Sequence, residues 1–195
     1  MKFADSTLSL ISTRIAAVNP RPVVVGVDGQ SGSGKSTLAQ ELAQSLSLSV
    51  AIVRGDDFYS DTPASTKALL TPKEGYEKYF DWRRLRSDVI ESIRDGASTL
   101  RYQRYDWNTA AMGGWTELPM PEVVIIEGVY TLRPELRGAI DITVFVRTSE
   151  STRLQRQKSR SENSVFWINQ WIAAEDFYVS SEATWEWVNF LLEGE

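Results

Sequence analysis

Residues Gly26 to Thr37 of this chain read GVDGQSGSGKST, and within them Gly29, Gly34, Lys35 and Ser36 satisfy the spacing G-x-x-x-x-G-K-[ST]. Each position has a physical task. Glycines let successive backbone N–H groups turn inward around a phosphate, the lysine reaches the outer phosphates, and the serine hydroxyl can ligate magnesium. The segment Gly29, Gln30, Ser31, Gly32, Ser33, Gly34, Lys35, Ser36 and Thr37 is therefore the candidate nucleotide-binding loop, with ATP and Mg²⁺ as the expected cofactors. Acidic groups follow three apolar runs: Asp28, the pair Asp56-Asp57, and Glu127. Phosphoryl transfer needs such groups, because the transferred phosphoryl carries spread negative charge and the attacking hydroxyl must be oriented or deprotonated. The chain has no histidine and no cysteine. Imidazole chemistry, thiolate nucleophiles, disulfides and the common zinc sites are thereby excluded, and a general base has to be a carboxylate. Arg153, Arg156 and Arg160 are spaced by three and four residues, which puts three guanidinium groups on one helix face where they could close over phosphates.

These groups need elements to hold them. The β-branched run Val23-Val24-Val25-Gly26-Val27 suits a buried parallel strand, and Leu38, Leu42 and Leu46 after the loop recur at helical spacing. Strand, loop and helix in that order place phosphates at a helix N-terminus, where free N–H groups and partial positive charge converge. Val50-Ala51-Ile52-Val53, Val123 to Ile126 and Ile142 to Val146 read as three more buried strands, and Trp185 to Leu192 as a last edge strand. Helices are expected over Asp81 to Ile93, Ser149 to Arg160 and Val165 to Val179, and two small strands around a turn between 99 and 120. The expected fold class is α/β: the three-layer P-loop NTPase fold, a mostly parallel sheet of about five strands with helices on both faces. In such sheets ligands sit beyond the carboxyl ends of the strands, where the acidic groups fall.

Composition bounds the rest. A chain of 195 residues with 42% hydrophobic and 24% charged residues reads as one globular domain, 1–195. Within it, 1–20 is a leading helix, 99–120 a hairpin excursion and 149–164 a candidate lid helix. Leu8, Ile11, Ile15 and Val18 give the first segment an amphipathic face, so it reads as a helix and not a signal peptide. No apolar run is long enough to span a bilayer, and the net charge of −5 gives no global pull toward nucleic acid. The expected setting is cytoplasmic, with a nucleoside triphosphate and a small-molecule acceptor as partners, and neither nucleic acid nor membrane. Four of seven tryptophans, Trp167, Trp171, Trp185 and Trp187, lie near the C-terminus and are read as core or as a homo-oligomer interface.

Taken together, GVDGQSGSGKST, Arg54-Gly55-Asp56-Asp57-Phe58-Tyr59, Tyr79-Phe80-Asp81-Trp82, Tyr105-Asp106-Trp107 and Val124-Ile125-Ile126-Glu127-Gly128 resemble the uridine kinase branch of the phosphoribulokinase and uridine kinase family. The resemblance runs to about Arg160. It implies that Asp56 is the catalytic aspartate that accepts the proton of a primary hydroxyl. It further implies that Asp81 holds ribose hydroxyls, that Tyr105 lies near the base, that Glu127 is the magnesium-side glutamate, and that Arg153 and Arg156 contact sugar or phosphate. Where the family carries a histidine shortly after the tyrosine, the nearest counterpart here is Ala110, and Ser159-Arg160-Ser161-Glu162-Asn163 replaces a denser basic run. The reading is an ATP- and Mg²⁺-dependent kinase of a small metabolite, nucleosides first. A kinase of pantothenate, a sugar phosphate or another alcohol, a regulatory ATPase, and a pure nucleotide-binding module stay open.

Overall fold

The computed structural model describes residues 2–160, 164–182 and 184–194. Strands are β1 (Val23–Asp28), β2 (Val50–Arg54), β3 (Thr99–Asp106), β4 (Ala111–Pro119), β5 (Val123–Glu127), β6 (Ile142–Arg147) and β7 (Phe190–Glu193). Helices are α1 (Asp5–Ala16), α2 (Lys35–Ser45), α3 (Ala64–Lys67), α4 (Pro72–Lys78), α5 (Trp82–Leu85), α6 (Ser92–Arg94), α7 (Pro134–Arg137), α8 (Glu150–Arg160) and α9 (Val165–Glu182). The main sheet has the order β2-β5-β1-β6-β7, every neighbouring pair parallel, while β3 and β4 form a separate antiparallel hairpin. Among the described residues no helix is long and apolar enough to cross a membrane.

The β-branched runs become strands covered on both faces because their side chains alternate between two cores. Val23, Val25 and Val27 of β1 pack with Leu8, Ile11 and Ile15 of α1 and Leu38 and Leu42 of α2. Val24, Val124 and Ile126 point the other way, into a core with Leu85, Val89, Leu100 and Tyr178. Each such fully buried aliphatic side chain contributes about 1.5–3 kcal/mol relative to exposure, so the sheet is held from both sides. This is the expected three-layer arrangement. The hairpin also forms as expected, and its Leu100 and Tyr102 anchor it to the second core.

Two boundaries differ from the sequence reading. The Asp81 to Ile93 segment is helical, but Asp81 caps it, accepting a hydrogen bond from the Arg84 N–H at 3.1 Å, and a π-helical stretch, Arg86–Glu91, lies between α5 and α6. The expected Trp185 to Leu192 strand begins only at Phe190, after a 3₁₀ turn over Thr184–Glu186. There the tryptophans cover the sheet instead of entering its ladder: Trp185 packs edge-on to Phe145 at 6.3 Å and Arg137 lies over Trp187 at 4.3 Å. The Arg160 side chain, and Ser161, Glu162 and Asn163 of the expected 149–164 segment, lie outside the described residues.

At the carboxyl end of β1 the completely buried Asp28 carboxylate accepts three hydrogen bonds: from Gly29 N–H at 2.5 Å, Leu132 N–H at 2.7 Å and the Tyr178 hydroxyl at 2.7 Å. Asp28 is thus a structural tie and not the open carboxylate that its place before the loop suggested. Asp28→Ala orphans all three donors and should lower unfolding stability by about 2–4 kcal/mol, as urea denaturation will read; a loss under about 0.5 kcal/mol would remove the tie.

Candidate active site

The loop between β1 and α2 is shaped by close approach. Gly29 lies at φ 142° with Val146 carbonyl oxygen where a Cβ would stand, and at Gly32 (φ 80°) a Cβ would come within 2.8 Å of the Arg153 carbonyl oxygen. Gly34, at φ 107°, is the N-cap of α2. Only glycine combines those angles with that crowding, so the loop amides are presented at the start of α2, a ready anion site. Lys35 is 8% exposed and donates from Nζ to the Gln30 carbonyl at 3.1 Å. Ser36 donates from Oγ to Glu127 Oε1, at the end of β5, at 3.1 Å. Burial pushes the Glu127 carboxyl above its ordinary range, and the Lys35 charge opposes that rise.

Of the three arginines of α8 expected to face phosphates, the two whose side chains are described, Arg153 and Arg156, part company. Arg153 is 6% exposed, and its Nε and Nη1 have no hydrogen-bond partner among the described residues. Buried guanidinium donors are seldom left so, and a phosphate beside the loop would satisfy them. Arg156 is occupied: Nη1 donates to the carbonyls of Gly32 at 3.2 Å and Gly194 at 2.7 Å, clasping the loop to the residue after β7. Its expected contact with sugar or phosphate is replaced, in this arrangement, by a contact with the loop that would bind the phosphate.

The residues fit a nucleotide with magnesium. The glycine cradle and Lys35 would hold the phosphates, the orphaned Arg153 donors offer further positive charge, and Ser36 with Glu127 would supply two magnesium oxygens. Magnesium ordinarily completes its six ligands with phosphate and water oxygens.

Beyond the loop lies a cavity of about 390 Å³, reached by Ser31, Asp56, Tyr59, Trp107, Trp171 and Glu175 among others. Asp56 sits in a 3₁₀ turn directly after β2, exposed into this space, and among the described residues no side chain bonds its carboxylate. Asp57 faces elsewhere, toward the Tyr102 hydroxyl at 3.5 Å and a separate depression under Arg104. Asp81 does not line the cavity; its carboxylate is spent on the α5 cap and on Arg84 at 3.5 Å. Tyr105 lies behind the wall, edge-on to Tyr59 at 5.3 Å and to Trp107 at 5.2 Å, and it is Trp107 that reaches the cavity. Ala110 is at the exposed tip of the hairpin with φ 52°, away from the cavity lining.

Sequence reasoning missed three contributors. Trp171 of α9 lines the cavity and donates from Nε1 to the Tyr59 hydroxyl at 2.9 Å, so one of the C-terminal tryptophans belongs to the site. Glu175, one turn later and only 3% exposed, accepts from Ser31 N–H at 2.8 Å and Ser31 Oγ at 2.5 Å. An acid four residues after an aromatic on a largely apolar helix was the available signal. Lys67 gave none; it is buried, donates to the Ser60 carbonyl and stands over the Tyr59 ring at 3.9 Å.

Burial lowers the Lys67 ammonium from its ordinary 10.5 to about 8, with Asp61 opposing. Between those two values the unfolded chain binds more protons than the folded one, so this residue makes stability rise with pH. Urea midpoints of the wild type relative to Lys67→Met should therefore increase from pH 8 to 10; a flat difference overturns the assignment.

A search of family profiles matches residues 24–164 to the phosphoribulokinase/uridine kinase family. A uridine kinase of Lactiplantibacillus plantarum is 34% identical over 148 residues, covering 72% of this chain and 68% of that protein. Among solved structures, a possible uridine kinase from Bacillus stearothermophilus superposes with a TM-score of 0.73 at 24% identity, covering 96% and 97% of the two chains. A putative fructose transport system kinase from Silicibacter sp. TM1040 gives 0.69 at 21% identity, over 95% and 97%. Those two likenesses establish the shared fold, and the profile match together with the 34% identical relative establishes descent: the chain belongs to the phosphoribulokinase/uridine kinase family of kinases.

Proposed function

We propose that this chain is an ATP- and Mg²⁺-dependent kinase that phosphorylates a hydroxyl of a small molecule held in the cavity beside Asp56, nucleosides being the first acceptors to try. One observation carries the reading. An unpaired carboxylate directly after β2 faces a cavity whose lining runs from Ser31 of the phosphate loop to an aromatic wall. This supports Asp56 as a base between a phosphoryl donor and a flat-ring acceptor. The relatives named uridine kinase favour a nucleoside, and the ring faces of Tyr59, Trp107 and Trp171 suit a planar base by stacking. The nearest sequence counterpart of the family's pyrimidine-reading histidine is Ala110, at the exposed hairpin tip.

In the proposed reaction the loop amides and Lys35 hold the outer phosphates, and Arg153 balances charge that builds on the transferred group. Asp56 takes the proton of the acceptor hydroxyl as its oxygen forms the new bond to phosphorus; the bridging P–O bond breaks and ADP leaves. Magnesium, when bound, supplies charge neutralisation between the phosphates. Ser36 and Glu127 would hold it; burial pushes the Glu127 carboxyl upward and the Lys35 charge opposes that rise.

ADP release from Mg·ATP, measured against a panel of nucleosides and other alcohols, should rise with at least one acceptor; turnover indifferent to all of them would favour a plain ATPase. Asp56→Asn should keep ATP affinity and lose about 10²- to 10⁴-fold in kcat. Transfer at the wild-type rate would falsify its role as base. Lys35→Ala should weaken nucleotide binding and turnover together, and unchanged values of both would sink the phosphate-loop assignment.

A further inference from the structure

The cavity has an unusual charge balance. Among the described residues two of its lining side chains are acidic, Asp56 and Glu175, and none is lysine or arginine. Glu175 is almost wholly buried, and both its oxygens act as acceptors, one from Ser31 N–H and one from Ser31 Oγ. An ionised carboxylate is an acceptor only, so this double acceptance is the bonding pattern of the charged form. Burial pushes the Glu175 carboxyl upward, and the Ser31 bonds, Lys35 and Arg153 oppose that rise. Lys67, the cation at the aromatic wall, is not among the lining side chains; its ammonium is engaged by the Ser60 carbonyl and the Tyr59 ring. Arg104 acts on Asp57, Arg54 acts on both Asp57 and Glu127, and neither is among the lining side chains.

We propose that this cavity accepts neutral or cationic alcohols and rejects those carrying a carboxylate or phosphate, and that Glu175 is the residue enforcing the rule. The inference rests on the kinase reading and narrows its substrate class. A second negative group placed among Asp56, Glu175 and the apolar ring faces meets two like charges, with no lysine or arginine among the described lining residues to pair it. Repulsion of that kind is how sites refuse partners that otherwise fit. The phosphates of the nucleotide escape the penalty because Lys35, Arg153 and the loop amides face them. Among the acceptors left open by the sequence, pantothenate and sugar phosphates are therefore disfavoured, and uncharged nucleosides are retained. Glu175 has a second task as a positioning residue, since its bonds to Ser31 brace the phosphate loop, and the test must separate the two.

Three matched pairs differing in one anionic group provide that test: panthenol against pantothenate, adenosine against adenosine 3′-monophosphate, and cytidine against cytidine 3′-monophosphate. Acceptor-dependent ADP release and calorimetric binding in the presence of a non-hydrolysable Mg·ATP analogue are measured for wild type and Glu175→Gln, which retains an acceptor for Ser31. The wild type should prefer the neutral member of each usable pair by roughly tenfold or more in kcat/KM or affinity, and Glu175→Gln should recover most of that gap through the anionic member alone. Equal use of both members by the wild type, or a variant that changes both members equally together with the KM for ATP, overturns charge selection and leaves Glu175 a loop brace. If no acceptor stimulates ADP release, the kinase reading falls and the charge rule is judged on binding alone. Tighter wild-type binding of the anionic members then refutes it, as does an absence of binding by every neutral member.

Discussion

The architecture of the site depends on the buried carboxylate of Asp28. Placed at the carboxyl end of the central strand, it joins three segments distant in sequence: the first amide of the phosphate loop, the Leu132 amide after β5, and the Tyr178 hydroxyl of α9. Burial pushes its carboxyl upward, and those three donors together with the Lys35 charge oppose that rise. The same tie draws α9 against the loop. Along that helix Trp171, Glu175, Asp176 and Tyr178 reach in turn Tyr59, Ser31, Gln30 and Asp28. One helix thus sets the geometry of both the phosphate loop and the aromatic wall.

Charge is distributed around that frame in two sectors. Asp28, Glu127 and Glu175 are all acids raised by burial, and all three feel Lys35, which among the described residues bonds no carboxylate and donates to the Gln30 carbonyl. Arg153 is buried beside the loop with open donors. This sector has an excess of donor capacity waiting for an anion, and the phosphate-loop amides add to it. The acceptor sector is the opposite, with unpaired Asp56, Glu175 and ring faces. On the proposed reading a phosphoryl group passes from the donor-rich side to an acceptor hydroxyl beside Asp56, and only the proton of that hydroxyl goes to the carboxylate. The loop after β5 contributes backbone to the boundary: Tyr130 takes a left-handed φ of 71°, held by its packing against Tyr76 and Tyr178. A bulky residue in that region is costly and persists only when its surroundings overdetermine it.

Much of the fold was legible because it is local. The valine-rich runs, the loop glycines and the Leu38–Leu42 periodicity act within a few residues, and the structure places each where the pattern put it. Asp56 and Glu127 were legible by position, since strand ends of a parallel sheet face a common edge. Asp81, Tyr105 and Arg156 show where position stops sufficing. Each lies close to the cavity or the loop, but a helix cap, a second aromatic layer and a pair of carbonyls take up their side chains. Side-chain direction follows from which neighbour packs against it, and those neighbours come from other segments.

The sequence by itself determined the glycine-rich loop after the first strand, the parallel sheet and an inventory of ionisable groups without imidazole or thiol. The first two follow from backbone sterics and burial periodicity. Tertiary structure alone decided that Asp28 is a tie and Asp56 is free, that Arg153 is open and Arg156 closed, and that Trp107, Trp171 and Glu175 line the cavity. The physical reason is distance along the chain. Ser31 and Glu175 are 144 residues apart, Asp28 and Tyr178 150, and no local propensity records which distant donors a buried acid will find once the cores on both sides of the sheet have closed.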